Sequence, residues 1–146
     1  MNSNDGVLDL GWSARGPVEQ GYFVFACVRN PFDRAVSGWK YLKALRSRSL
    51  EEALEDPPCR GHAYRHFTRP QWMILAKGPE EPLVVDALIR FESLQEDFGR
   101  VCDAIGKPRV RLPHLNARCR ERCWRHYYSD WARRLAERLF AEDPKI

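Results

Sequence analysis

The sequence predicts an α/β fold in which a short parallel sheet is flanked by helices. Three observations point there. Tyr22–Val28 reads Tyr-Phe-Val-Phe-Ala-Cys-Val, a continuous aromatic and β-branched run of the kind found in strands buried on both faces. Asn30-Pro31 follows at once, an N-cap residue with proline at the first helical position. The rest of the chain then orders as helices, strand, helix, helix, the alternation of parallel α/β proteins.

Residues 1–21 are weakly patterned and read as an irregular lead-in to a domain spanning 22–146. The helix opened by Asn30 has Asp33 in its first turn and is expected to run to about Arg46. A short helix fits Leu50–Leu54 and is stopped by Pro57-Pro58. Residues 57–69 read as a loop rich in His, Arg and aromatics. Pro70 opens a further helix through Ala76, ended by Gly78-Pro79. Val84–Phe91 is the second strand. Ser93 caps a helix over Leu94–Ile105, which Gly106 and Pro108 terminate. After a loop with Pro113 and Asn116, Ser129 caps the last helix, Asp130–Glu142. Its buried stripe is Ala132, Leu135, Ala136, Leu139 and Phe140. Two strands make a poor sheet, so a third is expected near Val7–Leu10 or from a partner.

With 146 residues the chain can build one hydrophobic core. A hydrophobic fraction of 44% with 30% charged residues excludes a disordered class. The longest apolar run is too short to span a bilayer, and Met1–Gly11 lacks the pattern of a signal peptide. A cytoplasmic protein without a membrane segment is the expectation. The five cysteines are irregularly spaced and do not form a disulfide framework; Cys27 and Cys102 read as small core residues. A net charge of +4 is too small to imply nucleic-acid binding. Arg far outnumbers Lys, which suits bidentate recognition of phosphate or sulfate; a GC-rich genome gives the same bias.

Arg29 falls where the first strand ends, the position at which open α/β sheets bind ligands. At about 100° per residue, Arg34, Ser37, Gly38 and Tyr41 share one face of the following helix, and Ala35, Trp39 and Leu42 the other. The second face is core. The first carries a guanidinium, a hydroxyl, a phenol and a glycine that admits a ligand to the backbone. Ser37 lies roughly 9 Å along the axis from Pro31, so a phosphate touching Arg29 and Ser37 would lie along the helix flank and not on its tip. The competing reading pairs Arg29 and Arg34 with Asp33 or Asp86 and leaves Ser37 facing solvent.

The run Phe25-Ala-Cys-Val-Arg-Asn-Pro-Phe-Asp-Arg-Ala-Val-Ser-Gly-Trp39 resembles the 3′-phosphate-binding motif of sulfotransferases that use 3′-phosphoadenosine-5′-phosphosulfate (PAPS). His66-Phe-Thr-Arg-Pro-Gln71, Ile89–Phe98, Leu112–Asn116, Tyr127-Tyr128 and Leu139–Asp143 resemble later segments of the carbohydrate-sulfotransferase branch, in the same order. The resemblance covers roughly residues 22–146. It implies a partial P-loop-kinase-like sulfotransferase domain, PAPS as co-substrate, no metal, and a hydroxyl-bearing acceptor such as a carbohydrate. It also implies that Arg29 and Ser37 hold the donor's 3′-phosphate, with Arg34 beside them. Nothing in Met1–Gly21 resembles the family's loop for the 5′-phosphosulfate: Arg15 is the only basic residue there. The chain is therefore expected to be truncated at its N-terminus and inactive alone, unless a homo-oligomer or a preceding segment supplies the loop.

His66 is the leading candidate for the base that takes the acceptor's proton, against a purely structural role in its loop. His62 is a weaker rival. Glu92 is a second base candidate, against an ion pair with Arg90 or Arg69. Arg118 and Arg120 belong to a basic cluster with Arg122 and Arg125; the resemblance implies that this loop closes over the donor nucleotide and brings one of these arginines to the 3′-phosphate, and the plain alternative is a solvated face. Cys119, Cys123, His114 and His126 lack zinc-site spacing. The rival class is a non-catalytic fragment or interaction module that binds nucleotide weakly.

Overall fold

The computed structural model describes residues 21–78, 80–113 and 123–143. It is a mixed α/β structure, with two parallel strands and six α-helices among the described residues. These residues divide into two units: 21–29 with 71–113, and 30–70 with 123–143. The chain leaves the first unit after Arg29 and returns to it at Gln71.

In the first unit, β1 (Phe25–Val28) pairs in parallel with β2 (Ala87–Arg90), Phe25 opposite Ala87 and Val28 opposite Arg90. Between Gln71 and β2 lies one short helix, Trp72–Leu75, shorter than expected from Pro70. The helix Leu94–Ala104 follows β2 and ends at Gly106, whose φ of 67° is the left-handed conformation that glycine tolerates. Ser93 does not cap this helix through its side chain. Its hydroxyl donates to Asp97 at 2.9 Å, and the same carboxylate accepts the Arg90 backbone N–H at 2.9 Å, tying the end of β2 to the helix. Val28, Ile89, Leu75, Val101 and Cys102 are buried.

The strand expected to be buried on both faces is not. Phe25 and Cys27 are exposed and only Val28 is fully buried. Among the described residues β1 has one neighbouring strand and one unpaired edge; Phe25 makes an edge contact with Phe98, ring centres 6.0 Å apart. Cys27 is thus not a core residue, whereas Cys102 is. The third strand expected near Val7–Leu10 lies outside the described residues.

The second unit is helical. Here α1 is Pro31–Tyr41, α2 Leu50–Glu55, α3 Gly61–Phe67 and α4 Asp130–Leu139. The Asn30 side chain accepts the Phe32 and Asp33 N–H groups, as its N-cap position requires. α1 stops at Tyr41 because Leu42 turns to an extended conformation (ψ 118°), and a 3₁₀ turn over Lys43–Leu45 takes the remaining residues. Ser49 and Glu52 form a reciprocal capping box at α2. Ser129 caps α4 by accepting the Ala132 N–H, and Ala132, Ala136 and Phe140 are buried as expected. They pack with Ala35, Val36, Leu42, Leu45, Leu50, Ala53, Leu54 and Phe67 into one core.

The stretch expected to be a loop contains α3. Its N-cap, Arg60, makes no side-chain cap bond and its one fully buried side chain is Phe67, so neither a cap nor an apolar stripe marks it. Phe67 and the bond from the Thr68 hydroxyl to the Pro58 carbonyl (2.8 Å) fasten its C-terminal end.

Candidate functional site

Arg29 is the first residue past β1, and its backbone is held from outside the strand. Its N–H donates to the Gln71 side-chain oxygen at 3.0 Å, and the Gln71 amide nitrogen donates back to the Arg29 carbonyl at 2.9 Å. Gln71 is buried, so this double bond is shielded from water. The Arg29 guanidinium lies over the Phe91 ring, 4.2 Å from its centre, a cation–π contact that keeps the planar head in one orientation. Burial pulls the Arg29 pKa down, and the charge of Glu92 pushes it back up. Arginine remains protonated through such shifts, so the strand end carries a fixed cation. Glu92 is exposed, and its field acts on Arg29 and on the Cys27 thiol. Arg90 pairs with Asp97 at 3.6 Å.

In the second unit Arg34 is a packed residue. Its guanidinium donates to the Arg69 carbonyl at 2.6 Å and pairs with Asp143 at 3.2 Å, the latter carboxylate having no exposed side-chain surface. The Phe140 ring lies 5.8 Å away. The partner is neither Asp33 nor Asp86; Asp86 accepts the Val24 N–H at 2.7 Å. Ser37 is half-buried on α1. Trp39 is half-buried with its indole N–H on the Arg48 carbonyl at 2.8 Å, while Tyr41 is 65% exposed. Gly38 does not open the backbone to a ligand. A Cβ built there would stand 2.8 Å from the His66 carbonyl oxygen and 3.4 Å from the Phe67 Cα. The glycine is there so that α1 and the end of α3 can touch.

His66 is exposed near the end of α3, beside His62, with ring centres 4.3 Å apart. Its pKa lies below the ordinary histidine value: partial desolvation is the largest cause, followed by the charges of His62, Arg65 and Arg34. The imidazole is therefore neutral at pH 7, the form that accepts a proton.

The structure thus brings Arg29 together with Glu92 in one unit, and Arg34 with His66 in the other. Arg118 and Arg120 lie outside the described residues, as do Cys119 and His114. Of the remaining cysteine–histidine pair, the His126 Nδ1 faces the Cys123 carbonyl at 3.3 Å. Among the described residues no three His, Cys, Asp or Glu side chains come together.

Sequence reading gave no role to three residues that shape these sites. Gln71 and Asp143 act across 42 and 109 positions, and such partners have no local signature. Phe91 was expected to end the second strand, but β2 stops at Arg90 and Phe91 opens a 3₁₀ turn, where its exposed ring meets Arg29. No helix among the described residues is long and apolar enough to cross a membrane. Compared with protein-family models, with curated proteins and with solved structures, the chain matches none of them.

Proposed function

We propose that this chain binds the 3′-phosphate end of PAPS and belongs to an enzyme that moves its sulfuryl group to a hydroxyl of a carbohydrate or similar acceptor. The observation that carries the reading is Arg29. A guanidinium whose backbone is clamped by Gln71 and whose plane rests on Phe91 is preorganised, and bidentate donation to a phosphate suits such a group. In the reaction the acceptor oxygen bonds to sulfur as the bond from sulfur to the bridging oxygen breaks. The acceptor proton passes to a base, and adenosine 3′,5′-bisphosphate leaves. His66 is the base in this reading, its neutral form being the competent one. Glu92 supports the charge of Arg29. Arg34 supports α1 from within.

A second reading, a non-catalytic nucleotide-binding or interaction module, draws on the exposed aromatics Tyr22, Phe23 and Phe25. Calorimetry with adenosine 3′,5′-bisphosphate tests both. Binding that weakens by about 1.5–3 kcal/mol in Arg29→Ala, the scale of a hydrogen bond to a charged group, supports the nucleotide site. Equal affinity in parent and variant removes Arg29 from it. Transfer of labelled sulfate from PAPS to sugar or phenol acceptors that is lost in Arg29→Ala excludes the module; binding without transfer fits both readings, because the chain alone is expected to be inactive.

A further inference from the structure

His62 and His66 stand at i and i+4 on α3, so their side chains lie one above the other on the same face. Both are exposed, and their ring centres are 4.3 Å apart at an interplanar angle of 55°. Neither ring is stacked flat on the other, and exposed rings are free to turn about the Cβ–Cγ bond.

That separation matches a chelate. With a metal–nitrogen bond of about 2.0–2.1 Å and the ring centre roughly 1.1 Å farther back, centres 4.3 Å apart subtend roughly 85° at the metal. This is close to the right angle between neighbouring ligands in square-planar and octahedral complexes and well below the tetrahedral angle. We infer that His62 and His66 form a two-imidazole site for a late first-row divalent cation of square-planar or octahedral habit, Ni²⁺ or Cu²⁺.

The surroundings narrow the choice further. The guanidinium groups of Arg65 and Arg34 act on His66, and no acidic side chain joins the two rings among the described residues. A hard cation such as Mg²⁺ or Ca²⁺, held by anionic oxygen ligands, gains nothing there. A metal that bonds strongly to neutral imidazole tolerates the positive field, and affinity for nitrogen ligands rises along the series to copper. Water fills the remaining coordination positions, and since a metal-bound imidazole has given up its lone pair, the metal-loaded form of His66 is not the form that takes the acceptor's proton.

The probe is Ni²⁺ alone, titrated calorimetrically into the full chain and into His62→Gln, His66→Gln and the double variant. Both positions are exposed, so the substitutions leave the core intact. Each single change is expected to weaken Ni²⁺ by about tenfold or more, because the second bond of a chelate is intramolecular. The double variant is expected to lose little beyond either single one, since removing one ring already destroys the chelate. Mg²⁺ is expected to give no heat. Unchanged Ni²⁺ affinity in the single variants, or two small losses that simply add, overturns the inference. The titration uses neither donor nor acceptor, so its outcome is separate from that of the nucleotide experiment.

Discussion

Replacing Gly38 by alanine sets two known effects against each other on one residue. In a helix interior alanine is favoured over glycine by about 0.8–1.0 kcal/mol. The added methyl, however, would sit 2.8 Å from the His66 carbonyl oxygen and 3.4 Å from the Phe67 Cα. Both are backbone atoms, so no rotamer change relieves the contact. Phe67 is fully buried, and restoring an ordinary separation means moving the end of α3 by roughly half an ångström against a filled core. Forcing one extra carbon into such a site costs about 1–3 kcal/mol. The net expectation is destabilisation of about 0–2 kcal/mol, read as a lower urea midpoint at unchanged slope. Stabilisation by about 1 kcal/mol would refute the packing account. If Gly38 instead admitted a ligand to the backbone, the variant would gain stability and lose nucleotide affinity, the opposite signature.

Other perturbations separate support from binding. Arg34→Ala removes the cation beside the buried Asp143 and is expected to cost about 3 kcal/mol by chemical denaturation, the low end for breaking a buried pair because Asp143 keeps other polar contacts. Tyr128→Phe deletes the bond to the Phe32 carbonyl (3.0 Å) and should cost about 1 kcal/mol in the same assay. Asp97 has its carboxyl pKa lowered first by the Arg90 N–H and then by the Ser93 hydroxyl. Its contribution is fully present above the unfolded value of about 3.9 and is lost as pH falls through the lower folded value. Asp97→Asn should therefore melt below the parent at pH 7, with the gap closing under about pH 4; a gap that persists in acid would assign the loss to something other than the charge.

The elements most legible in the sequence were those written in local chemistry. Asn30-Pro31 announces a helix start because capping is a contact over three residues. The stripe of α4 was readable because its apolar spacing repeats. α3 was not, since its helix rests on Phe67 and on a hydrogen bond reaching back to Pro58. The same division runs through the sites. Arg29 could be placed at a strand end from pattern alone. The roles of Arg34 and Gly38 could not, because they depend on what stands opposite: Asp143 and the Arg69 carbonyl in one case, the His66 carbonyl in the other.

A side-chain amide carries the same donor and acceptor as a peptide group. Gln71 therefore meets Arg29 as a neighbouring strand would, with one bond in each direction, and supplies a single rung of ladder where, among the described residues, no strand runs. The geometry of Arg29 is thereby a property of two distant stretches of chain and not of the motif that contains it. A peptide covering only the strand, the turn and α1 would carry every letter of that motif and would leave its arginine unplaced.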